Sequence, residues 1–384
     1  MRAAPLADVC EIVMGQAPKG NTYNTAGVGL PLIAGAGDFG DLHPAVTKYT
    51  TADRVRTCRA GDIVLSIRAS IGTKVLADGE YCLGRGVAGL RARSHLDDRY
   101  LWHWTTAAAP ELTAKGRGAT FLQVNKADIS KLEIPLPPID EQRRIAAVLD
   151  AADALRAKRR EALAKLDTLA QAIFIDMFGD PAANPMRWPT MPLGRLALKF
   201  SDGPFGSNLK SDHYQDSGVR VVRLQNIGSG EFVDDVAAYI SDEHFTTLRK
   251  HECRPGDVLV ATMGDPNLRA CIQPGWLNVA LNKADCVQIR VDPTIATNHW
   301  LCVLLNHPST EDMARSLVRG QTRSRISMGR LRELEVPVPP VDLQDQFGQR
   351  RTVAMAQTQR GHESSTSLNR LFGSLQQRAF RGEL

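Results

Sequence analysis

Aromatic residues make up only 6% of this 384-residue chain, and no stretch of about 18 consecutive apolar residues occurs in it. The second absence argues against a membrane-spanning helix. The opening MRAAPLADVCEIV lacks the uninterrupted apolar run of a secretory signal, so a cytoplasmic protein is expected. Seven cysteines are scattered from Cys10 to Cys302 with no C-x-x-C among them. That pattern suits buried reduced thiols and speaks against a disulfide framework or a zinc site. Catalytic signatures are missing too. There is no Walker P-loop, no H-E-x-x-H, no E-x-K or D-x-K triplet of the nuclease kind, and no N-P-P-[YFW] loop of an amino-methylating enzyme. The nine histidines show no metal-ligand spacing, and His103 beside Trp102 suits a core or interface position. Charge is ordinary, with 47 basic against 42 acidic residues and a net +5, which permits nucleic acid without demanding it.

What is present is organised around residues 134–181, IPLPPIDEQRRIAAVLDAADALRAKRREALAKLDTLAQAIFIDMFGDP. Pro135, Pro137 and Pro138 cannot be helix interior, because proline lacks the N–H and clashes with the preceding turn. A long helix is expected after them. Ile145, Val148, Ala152, Leu155, Ala162, Leu166, Leu169 and Ile173 follow alternating steps of three and four, broken only at Arg159. That is a heptad seam, which pairs one long helix with another. Gly179, Asp180 and Pro181 end it.

The same object returns near the end. Val336-Pro337-Val338-Pro339-Pro340 copies Ile134 to Pro138, and Val341-Asp342-Leu343-Gln344 answers Ile139-Asp140-Glu141-Gln142. A second long helix is expected to Leu384, with a poorer seam of Phe347, Ala354, Leu368, Leu371 and Leu375, interrupted at Gln357, Gly361 and Ser364. Such a helix needs a partner, since isolated helices are marginal in water. The repeat reaches further back. Gly61-Asp62-Ile63-Val64-Leu65 matches Gly256-Asp257-Val258-Leu259-Val260, each a turn dipeptide feeding a buried strand. Leu6 to Val9 answers Leu193 to Leu196, and Gly118 to Val124 answers Gly320 to Ile326. A period of roughly 200 residues is far beyond the ~20–50 of a solenoid repeat and indicates a duplicated domain plus helix.

Short strands between Gly, Asp and Pro punctuation, as at Leu30–Ile33, Ile63–Ile67, Val219–Leu224 and Val258–Ala261, alternate with helical patches at Asp98–Thr106 and Thr297–Leu305. The expected fold is therefore α+β: two tandem globular domains, separated and followed by long α-helices that pair with each other. The expected boundaries are 1–137 and 181–339 for the domains, 138–180 for the central helix and 340–384 for the C-terminal one.

Two formal G-x-G-x-x-G runs, Gly35 to Gly40 and Gly84 to Gly89, lack the helix that must follow in a dinucleotide site. In a chain with 31 glycines they read as chance loops. What remains is binding. Basic and amide residues gather in loop-like stretches: Lys19, Arg68, Arg85, Arg117 and Gln123 in the first half, and Lys210, Arg223, Gln225, Asn226, Arg319, Gln321, Arg323 and Arg325 in the second. Arginine reads guanine bidentately, Asn and Gln read adenine, and Lys and Arg hold phosphates. Any one of these residues could instead be plain solvated surface. As a set, RGQTRSR at 319–325, without an acidic residue, is the most persuasive.

Taken together, the two proline boxes, the two helix ends AIFIDMFGDP and LQQRAFRGEL, and Asp202-Gly203-Pro204-Phe205-Gly206-Ser207 with Arg223-Leu224-Gln225-Asn226-Ile227 resemble the specificity subunits of type I restriction–modification enzymes. Leu343 departs from the first box, which has Glu141. The resemblance covers nearly the whole chain. It implies two target-recognition domains, each reading half of a split duplex DNA sequence, held apart by the two helices paired as an antiparallel coiled coil, and no catalysis or cofactor in this chain. S-adenosylmethionine, ATP and Mg would belong to partner subunits: two modification subunits docked on the helices, and restriction subunits reached through the complex. Two other functions suit the same features: a coiled-coil adaptor whose domains bind peptides, and an enzyme with a cryptic site near Gly264-Asp265-Pro266-Asn267.

Overall fold

The computed structural model describes every residue except Met1, Thr120, Asp265 and 321–323, and leaves the Asp167 side chain undescribed. The chain divides into two compact units. The first comprises Met1–Glu161 with Glu363–Leu384, the second Ala162–His362.

In the first unit, a four-stranded antiparallel sheet runs in the order Cys10–Met14, Val87–Ala92, Ile63–Ser66, Lys74–Leu76. A second sheet runs Tyr23–Asn24, Tyr49–Thr50, Leu30–Ile33, Tyr81–Leu83, Thr57–Cys58, with Leu30–Ile33 and Tyr81–Leu83 parallel. Ala3–Pro5 pairs with Glu133–Pro135 as a separate ribbon. The alternation of strand side chains separates two cores. Val64 and Val75 face Ile33, Leu83 and Val87, while Ile63 and Leu65 face Tyr100, Leu101 and Trp104 of the helix Asp98–Ala114. That helix runs past the expected Thr106 and through Pro110, because buried Ala108 and Leu112 carry its apolar face onward.

The second unit repeats this plan. Its sheets run Ala197–Asp202, Cys286–Val291, Val258–Ala261, Arg269–Ile272, and Tyr214–Gln215, Tyr239–Ile240, Val219–Val222, Ala280–Asn282, Glu252–Cys253. Thr190–Pro192 pairs with Glu335–Pro337. The helix Asn298–Leu305 takes the place of Asp98–Ala114.

The Gly-Asp dipeptides have a shared physical role. Gly61 and Gly256 sit at φ +90° and +89°, a conformation that favours glycine. Asp62 and Asp257, both buried, then turn back. Asp62 accepts from Arg59 N at 2.9 Å and from the Arg91 fork at 2.7 and 2.6 Å. Asp257 accepts from Arg254 N and the Arg290 fork, each at 2.8 Å. A bidentate pair of this kind satisfies a buried carboxylate and ties adjacent strands.

Each proline box enters its helix through one buried glutamine. Gln142 accepts from Asp97 N at 2.9 Å and donates to the His95 and Pro137 carbonyls at 3.0 and 2.9 Å. Gln344 accepts from Thr297 N at 2.8 Å and donates to Ile295 and Pro339 at 3.1 and 2.8 Å. The central helix spans Ile139–Asp167 and resumes over Leu169–Phe178, where Gly179 at φ +78° ends it. The last helix spans Val341–Arg381.

Within the first unit these helices run antiparallel. Arg144 donates to the Leu384 carbonyl at 3.0 Å, Arg156 to Asn369 Oδ1 at 2.8 Å, and the Arg156 guanidinium lies 4.2 Å over the Phe372 ring. Within the second unit Phe174 and Phe178 meet Phe347 edge-on at 5.6 and 5.4 Å. Ile145 and Phe347 are buried, and Leu166, Leu169, Ile173, Leu368 and Leu375 are half-buried. Four expected seam residues are corrected: Val148, Leu155 and Leu371 are 37%, 61% and 67% exposed, and Ala162 is exposed as well. Leu149, Leu163 and Phe372 are buried instead, and Arg156 is half-buried. Leu149, Arg156 and Leu163 keep the seven-residue spacing one position further on, so the repeat holds while the packing partners set its phase.

All seven cysteines are buried free thiols. Burial pushes Cys10 and Cys58 up to about 12, and Cys82 and Cys302 up to about 11. Among the described residues no helix is long and apolar enough to cross a membrane.

Gln142→Ala removes three bonds to backbone groups that have no alternative partner nearby. It is expected to lower unfolding stability by about 2–4 kcal/mol in urea titration. A loss below about 0.5 kcal/mol would mean that water replaces the amide.

Candidate nucleic-acid interface

The loops at one end of each sheet pair are built on the same hydrogen bonds. In the first unit Ile67 N donates to the Gly86 carbonyl at 3.0 Å, and Val124 N donates to the Ile67 carbonyl at 3.0 Å. Arg117 and Gln123 exchange backbone bonds at 3.0 and 2.9 Å, closing a small loop between them. In the second unit Thr262 N donates to the Asp285 carbonyl at 3.0 Å, Ile326 N to Thr262 at 2.9 Å, and Arg319 and Arg325 exchange bonds at 3.0 and 2.9 Å.

The glycines at 84 and 86 are explained by close approach. A Cβ on Gly84 would meet Ala34 Cα at 2.8 Å, and one on Gly86 would meet the Ala34 carbonyl at 2.5 Å. The strand Val87–Ala92 follows directly, and after the 35–37 turn comes a short bridge between Phe39 and Pro44. Neither run is followed by a helix N-terminus.

Arg68 and Arg85 come together with Tyr23 and Phe121 around one concavity of about 600 Å³. Lys19 lies apart, in a second concavity of about 720 Å³ that also takes Arg54 and Arg56. The Arg117 side chain is drawn to Asp128 at 3.2 Å, and Gln123 is exposed. In the second unit Lys210 and Gln225 are exposed, while the Arg223 guanidinium donates to the Val236 carbonyl at 3.1 Å. The exposed Arg319 turns its guanidinium onto the Ser316 and Val318 carbonyls at 3.0 and 2.9 Å. Arg325 faces Asp285 at 3.5 Å. Gln321, Arg323 and Asp265 lie outside the described residues.

Asn226 is corrected. It is 1% exposed, accepts from Arg223 N at 3.0 Å and donates to the Val233 carbonyl at 2.9 Å. Its amide holds the loop together and is not available to a base. His251 Nδ1 donates to the Asp202 carbonyl at 2.6 Å, and burial lowers the His251 pKa.

Sequence inspection missed Tyr23, Phe121, Arg54, Arg56 and Lys283. The last lies 5.3 Å over the Tyr214 ring. Phe121 had a usable signal, since a large apolar side chain between Gly118 and Gln123 in a turn-rich stretch has no strand or helix to bury it.

Residues 3–165 match the family described as the type I restriction modification DNA specificity domain. The chain is 35% identical over 153 residues to the putative type I restriction enzyme MjaX specificity subunit of Methanocaldococcus jannaschii, covering 39% of this chain and 36% of that protein. It is 20% identical over 174 residues to the MjaVIII specificity subunit of the same organism, covering 43% and 41%. The chain thus spans less than half the length of each of these relatives. A solved structure, described as the structural basis of complex assembly and conformational transition of the type I R-M system, superimposes on 100% of this chain and 98% of its own, with TM-score 0.69 and 20% identity. That is a likeness of fold.

Asn226→Leu is expected to cost about 1–3 kcal/mol of stability through the unmet Val233 carbonyl and Arg223 N–H. The folded variant should bind nucleic acid with parental affinity in a mobility-shift titration.

Proposed function

We propose that this chain is a member of the type I restriction–modification specificity-subunit family and reads DNA sequence for such a complex. The observation that carries this is the loop frame built twice with different side chains. Two sites on one scaffold, with Arg68 and Arg85 in the first unit and Met263 and Ala284 in the second, suit two readers of different half-sequences. The target-recognition domains are residues 1–137 and 181–339, joined and followed by the helices at 138–180 and 340–384.

The chain performs no chemistry of its own in this proposal. Methyl transfer belongs to modification subunits that bind S-adenosylmethionine, and DNA cleavage to restriction subunits that use ATP and Mg. The helices are the docking surface for two modification subunits. The exposed Val148, Leu155, Val353, Met355 and Leu371 supply apolar area for that contact. The complex works in the cytoplasm.

The paired helices also set the spacing between half-sites. A 41-residue helix is about 60 Å long at 1.5 Å per residue. Half-sites one turn apart on the same face of a duplex lie about 34–36 Å from centre to centre.

Selection from a pool of random duplexes, with the full chain and its modification subunits, is expected to enrich a split motif with a fixed gap. Affinity should fall steeply with salt as phosphate contacts release counterions. No enrichment at low and moderate salt would favour the protein-adaptor function instead. Inserting four residues, one turn, in both helices should change the preferred gap and leave both half-sequences intact. An unchanged gap would defeat the spacer role.

A further inference from the structure

The repeated frame gives a residue-by-residue correspondence between the two loop clusters. Ile67 and Thr262 make the same two backbone bonds, so Arg68 corresponds to Met263. Gly84 N donates to the Ile33 carbonyl at 2.8 Å and Lys283 N to the Val222 carbonyl at 3.0 Å, so Arg85 corresponds to Ala284 and Gly86 to Asp285. The closing loops match Arg117 to Arg319 and Gln123 to Arg325. Bridges between Arg68 and Gln123, and between Met263 and Arg325, fix the same register independently.

This correspondence sorts the arginines. One pair, Arg117 and Arg319, keeps its side-chain type in both units. A contact that both units need whatever they read is a contact to the sugar–phosphate backbone. Two arginines occur in the first unit alone. Neither Arg68 nor Arg85 meets a carboxylate among the described residues, and Arg68 Nε is buried from solvent with no partner. The flanking backbone fixes both. Arg85 sits between two glycines pressed against Ala34, and Arg68 follows the doubly bonded Ile67. Both line the concavity edged by the exposed rings of Tyr23 and Phe121. A guanidinium with a fixed stem and free donors matches the O6 and N7 acceptors of guanine in the major groove. In the second unit these two positions are Met263 and Ala284, whose side chains carry no donor.

We infer that Arg68 and Arg85 are guanine-reading residues of the first unit, and that Arg117 and Arg319 are the phosphate-holding pair common to both units. This rests on the DNA-reading function proposed above. It gives the two half-sites unlike compositions: the half read by the first unit contains guanine at the positions facing Arg68 and Arg85, and the other half is not read by guanidinium at the matching positions.

The test is the same random-duplex selection, run on the full chain with its modification subunits. The variants R68M and R85A install the residues found at the matching positions of the second unit. Each is expected to erase the preference for one G·C pair in one half-site, with a loss of about 10- to 100-fold in discrimination there. The other half-site should be unchanged, which also reports that the variant is folded. R117Q and R319Q should weaken binding to all sequences alike and lower the salt slope by about 1 each. R68K and R85K keep the charge but lose the fork, and should erase the same preference, so they carry the test should R68M or R85A fail to fold. If R68K and R85K leave both half-sequences intact, with affinity uniformly reduced or unchanged, the arginines hold phosphates or nothing and the inference is overturned. If the parental chain enriches no split motif, the DNA-reading function itself fails and not merely this assignment.

Discussion

One buried amide in each unit orients everything attached to it. Gln142 and Gln344 each bond a helix first turn, the extended segment before it and the start of a neighbouring helix, and all of their partners are backbone groups. Such a site needs one acceptor and two donors on a short planar group, which glutamine supplies and glutamate or lysine does not. The prolines ahead of it cannot continue a helix backward, and Glu133–Pro135 and Glu335–Pro337 are held in two-stranded ribbons. Each long helix therefore leaves its own globular core in a fixed direction.

Below the loops, the Asp62–Arg91 and Asp257–Arg290 forks do for the sheets what the glutamines do for the helices. They are buried on the carboxylate side, so breaking one would strand a charge in the core. A rigid frame of this kind lets the loop side chains vary without disturbing the fold. That is the arrangement expected of a binding scaffold whose specificity changes while its architecture does not.

Much of this was legible in the sequence because the duplication doubled each signal. The proline boxes, the Gly-Asp turns, the strands at Leu30–Ile33 and Val258–Ala261 and the stop at Gly179 stand where the pattern puts them. The seam was only partly legible. Val148, Leu155 and Leu371 obey the heptad, but position along a pattern does not fix helix phase, and Leu149, Leu163 and Phe372 turned inward instead. Candidate base contacts were least legible, because the same residue types serve structure. Asn226 and Arg223 look alike as DNA contacts in the sequence, yet both spend hydrogen bonds on their own loop. Only the backbone bonds that align the two clusters distinguish a loop amide from a free guanidinium.

The buried thiols give each unit its own clock. Cys10, Cys58 and Cys82 belong to the first unit, and Cys253, Cys271, Cys286 and Cys302 to the second. The thiolate is the reactive form, and burial holds all of these groups above the ordinary cysteine range. An alkylating reagent therefore reaches them only when the surrounding core opens. Mass spectrometry of labelled peptides would then record two opening rates from one sample, revealing whether the units breathe independently or as a single cooperative body.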